Sequence, residues 1–107
     1  MKDNHLQNLE DLDQIRTLSF SPERDGVFVF KHSPRCIISN TVYKRLLAGW
    51  SGKEPFYVVN VLDHRDISNE IAHYYSVQHE SPQLLHIKNG KCIAHASHHN
   101  VLEMYVQ

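Results

Sequence analysis

Apolar residues change their spacing from segment to segment along the chain, and each spacing predicts an element. In NLEDLDQIRTLSFS, Leu9, Leu12, Ile15 and Leu18 stand three apart behind Asn8, a residue type suited to an N-cap, with acids in the turn that follows; this is the stripe of a first helix. The turn cluster SPERDG separates it from VFVF, Val27 to Phe30, which is short, continuous and β-branched or aromatic, as a strand buried on both faces should be. PRCIISNTVYKRLLAGW then sets Ile38, Val42 and Leu46 four apart, so a helix starts near Pro34 or Arg35, holds Cys36 in its first turn and stops between Gly49 and Gly52.

PFYVVNVLDH reads as a second buried strand. DISNEIAHYYSV is a helix with Asp66 near its cap and Ile67, Ile71, Tyr74 and Tyr75 facing inward. LLHIKNGKCIAHA is two short strands around Asn89-Gly90, the strongest short hairpin signal, and HHNVLEMYVQ closes as a helix. The order predicts an α/β domain with a mixed central sheet, two parallel central strands joined by a right-handed crossover, and helices on both faces.

Composition narrows the class. A chain of 107 residues supplies one hydrophobic core, so residues 1–107 are expected to form a single domain, and 41% apolar with 21% charged residues is ordinary for a folded soluble protein. Eleven Lys and Arg against twelve Asp and Glu give a formal charge of -1 with no basic stripe, which argues against a dedicated nucleic-acid binder. No apolar run approaches the roughly 20 residues that cross a bilayer, and MKDNHLQNLEDLD lacks the apolar centre of a signal peptide, so the expected setting is the cytoplasm, without membrane partners.

Two cysteines carry the candidate chemistry. Cys36 falls where a strand gives way to a helix; there the helix N-terminus and neighbouring cations can lower a thiol from about 8.5 to roughly 3.5 to 7.5. Arg35 is adjacent, and Lys31 and His32 close the strand, so these three residues and Ser39 are expected to poise the sulfur. The competing reading is a small hydrophobe in a buried turn. Ser39 stands three residues on, where a second cysteine would resolve an adduct on Cys36; a hydroxyl cannot, so any adduct must pass to an outside thiol. Cys92 follows the hairpin turn, which at about 3.3 Å per residue is roughly 20 Å beyond Pro82. A disulfide needs Cα atoms within about 7 Å, so Cys92 is expected to be a half-buried structural thiol. A metal site built from Cys92, His95, His98 and His99 has ligand types without a recognisable zinc spacing.

The segments KHSPRCIIS and VQHESPQLLHIKNGK, in this order of elements, resemble the thioredoxin-like fold over residues 6 to 106 or so. More narrowly, FKHS before the cysteine, serine three residues after it, and then HESPQ and ASH are similar to the monothiol bacilliredoxin family, general-stress proteins of the bacillithiol system. The resemblance implies a thiol-disulfide oxidoreductase with Cys36 as nucleophile and no cofactor or metal, exchanging bacillithiol or a similar small thiol with modified client proteins, as a monomer. It also implies a cis Ser81–Pro82 bond that presents the backbone before the proline to an extended ligand. The returning strand should bring His98 to the same end, as a substrate contact or a surface histidine at a helix start.

The chain departs from the family's usual pattern at Ile37, where proline is common, and at Pro34-Arg35, where small hydroxyl residues are typical. Phe30 also stands where thioredoxins proper carry a buried acid. Two other functions fit the same fold: a non-catalytic binding or scaffold protein, and an iron-sulfur-carrying monothiol glutaredoxin relative, whose small glycine-containing motif CIIS lacks.

Overall fold

The computed structural model describes residues 6–50 and 54–105. Five strands, β1 (Leu6–Asn8), β2 (Val27–His32), β3 (Phe56–Asn60), β4 (Gln83–Lys88) and β5 (Lys91–Ser97), form one sheet in the order β1-β3-β2-β4-β5. β1, β3 and β2 run parallel, while β4 and β5 are antiparallel to their neighbours. Helices α1 (Asp13–Arg16), α2 (Ile37–Gly49), α3 (Arg65–Tyr74) and α4 (Asn100–Tyr105) cover the faces, with a 3-10 turn at Leu18–Phe20.

The continuous apolar runs of β2 and β3 have the cover that their composition demands. Side chains alternate between the faces, so Val27 and Val29 pack with Ile15, Ile67 and Ile71 on the α1/α3 side. Phe30 packs with Val42, Leu46 and Val101 on the α2/α4 side, with Phe28 against the same cluster. Asn89 and Gly90 both take positive φ, 53° and 76°, the backbone of a two-residue hairpin turn. The turn is tied down by bonds from Asn89 N to Ser19 O (2.6 Å) and Gly90 N to Ser19 Oγ (3.1 Å).

Several boundaries differ from the sequence reading. Asn8 caps no helix: it ends β1, whose residues pair with Phe56, Tyr57 and Val58, and the pairing carries Leu9 into the core as strand continuation. The helix itself is only Asp13–Arg16, preceded by a turn in which Gln14 Oε1 accepts from Glu10 N (2.6 Å) and Asp11 N (2.9 Å). Tertiary pairing wins over a local stripe here because a three-residue strand bonds to β3 along its whole length. β2 runs two residues past Phe30, because Lys31 and His32 continue the ladder with Val59 and Asn60. The inner line of α2 is Ser39, Val42 and Leu46, with Ile38 left 42% exposed. Tyr74 faces solvent under Arg16, 5.4 Å from guanidinium to ring centre, while Tyr75 is buried.

Gly26 and Gly90 both have positive φ, yet their surroundings differ: a Cβ at Gly26 would strike the carbonyl oxygen of Ile87, whereas at Gly90 it would meet the ring of exposed Phe20. Backbone cannot yield and a surface ring can. Gly26→Ala should therefore cost about 3 kcal/mol in chemical denaturation and Gly90→Ala about 1 kcal/mol; equal losses would contradict this account.

Candidate functional site

β2 ends at His32, and its chain turns through Ser33, Pro34 and Arg35 before α2 begins. Cys36 N donates to Ser33 O (3.0 Å), which closes a four-residue turn with proline at its second position, where the fixed φ of proline is favoured. That turn delays the helix by two or three residues relative to the sequence reading, to Ile37. Cys36 is the N-cap of α2, with extended backbone (φ -101°, ψ 124°), and its carbonyl accepts from Asn40 N (3.0 Å). The thiol is partly exposed and makes no capping hydrogen bond. The first-turn amides of Ile37, Ile38 and Ser39 have no carbonyl partner within the helix, so their N–H groups and the positive end of the helix dipole lie next to the sulfur.

Three side chains hold the turn. Ser39 is fully buried, not a helix-surface residue; its Oγ accepts from Ser33 N (3.0 Å) and lies 2.8 Å from His32 Nδ1. With the hydroxyl proton directed at Nδ1, the proton of the neutral ring sits on Nε2. Burial pushes the His32 imidazole below its ordinary range, which keeps Nδ1 free to accept at neutral pH. Asn40 Nδ2 donates to Pro34 O (2.9 Å). The His32 ring packs against Tyr43, 4.5 Å between centres, and Tyr43 stacks on Phe30 at 5.4 Å. Asn40 and Tyr43 escaped the sequence reading, although both face the turn at helical spacing from Cys36, four and seven residues on.

The cationic flank divides. Arg35 is exposed and, among the described residues, forms no ion pair or hydrogen bond, so it stands free beside Cys36. Lys31 does not join it. Alternation along β2 sends His32 to the α2 face and Lys31 to the α3 face, where its Nζ donates to Ser68 O (3.1 Å) and meets His79 Nδ1 (3.1 Å). The expectation that Lys31 poises the sulfur is corrected by this geometry: sequence adjacency to the site put it on the wrong side of the sheet.

The Ser81–Pro82 peptide is cis. Since Gln83 pairs with Lys31, Pro82 lies across from the end of β2, level with the Cys36 turn. No described backbone hydrogen bond uses the amide or carbonyl of Ser81, and its buried Oγ has no partner. His98 is exposed, takes positive φ (57°) and donates its N–H to Pro82 O (2.9 Å), so the return of β5 brings it to this end as expected. Cys92 pairs with Ile87 at the opposite end of β4 and packs half-buried on the α1/α3 core, and both cysteines are free thiols. Among the described residues no group of three or more His, Cys, Asp or Glu is placed to hold a metal, and no helix is long and apolar enough to cross a membrane.

Known proteins share this arrangement. A solved thioredoxin-fold protein assigned as an oxidoreductase is 29% identical, with 98% of this chain and 96% of that one covered at a TM-score of 0.76. Malassezia sympodialis thioredoxin superposes with a TM-score of 0.73 at 16% identity, covering 94% of this chain and 85% of its own. Mitochondrial thioredoxin 3 of Saccharomyces cerevisiae gives 0.66 at 18%, covering 94% and 91%. These last two bear on the fold, and the family model described as "Monothiol bacilliredoxin BrxC" matches residues 4–105. Because that match takes in the Cys36 turn, the cis-proline segment and the hairpin together, the chain belongs to the monothiol bacilliredoxin family of thiol oxidoreductases, built on the thioredoxin fold.

Proposed function

We propose that Cys36 removes bacillithiol, or a closely similar small thiol, from proteins that carry it as a mixed disulfide. The Cys36 thiolate attacks the sulfur of the small thiol. One S–S bond forms between them as the client's S–S bond breaks, and the client sulfur departs as a thiolate that takes a proton from water. A second small thiol, as thiolate, then attacks the captured sulfur; the Cys36 thiolate is released and the two small thiols leave joined by a disulfide. Each step exchanges one S–S bond for another, and the protein ends as it began.

The observation that carries this reading is the state of position 39. Ser39 is locked into hydrogen bonds with Ser33 and His32, and Cys92 on β5 pairs with Ile87, which is four strand residues beyond Gln83, about 13 Å along β4. An adduct on Cys36 therefore has no internal thiol to expel it. The free amides at the start of α2 and the unpaired guanidinium of Arg35 are the positive groups available to the sulfur. Ser81, with its unused backbone groups, Pro82 and His98 form the wall along which an extended client segment lies. The domain acts as a monomer in the cytoplasm, where small thiols are kept reduced.

Intact mass after parallel exposure to oxidised bacillithiol, glutathione and cysteine tests both site and thiol. The native chain should gain a single bacillithiol, Cys36→Ser none, and Ser39→Cys should lose the adduct to an internal disulfide. An adduct that persists in Cys36→Ser would sink the assignment, and faster capture of glutathione would change the thiol while keeping the cycle. Alkylation supplies a second check. Burial pushes the Cys92 thiol up, so Cys92 stays protonated at neutral pH and should label with iodoacetamide at pH 7 more slowly than Cys36, which stands beside the free amides of α2 and the guanidinium of Arg35. Peptide mapping that finds Cys36 as slow as Cys92 at pH 7 would leave a scaffold in place of an enzyme.

A further inference from the structure

The face of the sheet turned away from α2 carries a polar cluster inside an apolar layer. Lys31 has no exposed surface, and among the described residues no carboxylate pairs with it. Its Nζ donates to Ser68 O on α3 (3.1 Å) and to His79 Nδ1 (3.1 Å), which Ser68 Oγ also approaches at 3.0 Å. Directly across on β4, Gln83 is equally buried. Its Nε2 donates to Gln78 O (3.0 Å) and reaches Ser97 Oγ (3.3 Å), whose hydroxyl donates to Glu80 Oε1 (2.6 Å). Three successive loop residues, Gln78, His79 and Glu80, are thus held from β4, β2 and β5 in turn. The next two residues are Ser81 and Pro82.

Stability does not account for a lysine here. An amine without a counter-ion in an apolar layer carries a desolvation cost that methionine, of similar length, would not. Burial pushes Lys31 down to about 8. The charged groups that act on its partner His79 are Lys31 itself, Arg65 on α3 and Glu80 on the loop; burial, then Lys31 and Arg65, lower His79 against Glu80, which keeps its Nδ1 lone pair available at neutral pH.

We propose that Lys31 is a positioning residue for thiol exchange: through His79 it fixes where the 78–82 loop presents Ser81 and Pro82 beside Cys36. This rests on the reading that the Ser81–Pro82 wall receives the mixed disulfide. Lys31 touches neither the sulfur nor its helix, so its effect passes through the loop to substrate docking and leaves the nucleophile as it was.

The test compares native protein, Lys31→Met, His79→Ala and the double variant in three measurements: thermal midpoint, alkylation of Cys36 by iodoacetamide, and exchange with a peptide carrying a bacillithiol mixed disulfide. Lys31→Met should melt at or above the native temperature and alkylate within about twofold of it, yet show a KM for the peptide raised about tenfold, as small misplacements of a docking group do. His79→Ala, a change at an exposed side chain, should weaken exchange similarly, and the double variant should lose no more than the worse single one. Unchanged exchange in Lys31→Met overturns the proposal, as does alkylation that falls in step with exchange, since Lys31 would then act on the sulfur. A native chain that alkylates at Cys36 but ignores the peptide overturns the exchange reading and this one together.

Discussion

A serine with no exposed surface must satisfy its hydroxyl within the protein, and at Ser39 the two partners are the amide of Ser33 and the ring of His32. That small cluster joins the last residue of β2, the turn that follows and the first turn of α2. Cys36 sits inside the segment so closed, and its position at the N-cap follows from the closure. In the neutral ring Nδ1 accepts the hydroxyl proton while Oγ accepts from Ser33 N, and burial of the ring beside Tyr43 and Phe30 favours that neutral form. The residue that removes a resolving thiol from the site is therefore the same one that holds the site together.

The second constraint is the alternation of a strand covered on both faces. His32 and Lys31 are neighbours in sequence and serve opposite sides of the sheet. His32 organises the loop that carries Cys36, while Lys31 reaches the loop that leads into the cis proline. Both loops emerge at the same end because β4 pairs antiparallel with β2, which sets Gln83 opposite Lys31 and Pro82 opposite the start of the Cys36 turn. The chain leaving β5 adds His98 as a third contribution at that end, through the hydrogen bond from its backbone N–H to Pro82 O.

The thiol chemistry is set by what surrounds the sulfur. The site offers amide groups, one free arginine and a partly exposed sulfur, with neither a base nor a second thiol bonded to it. Such a surrounding suits the thiol-disulfide exchange of the family, and the two buried polar clusters fix the backbone on either side of the sheet near it.

Much of this was legible in the sequence, because its signals are local. Continuous apolar runs fixed β2 and β3 as covered strands, Asn89-Gly90 fixed the hairpin, and Ser39 in place of a cysteine decided the monothiol character, since bond chemistry depends on residue type and not on packing. β1 was invisible: three residues carry no period, and only pairing with β3 makes Leu6–Asn8 a strand and displaces the helix expected there. The burial of Ser39, the roles of Asn40, Tyr43 and His79, and the turning of Lys31 away from Cys36 were decided by tertiary structure. A one-residue step along a strand reverses the face, and which face meets α2 or α3 is set by how distant segments pack.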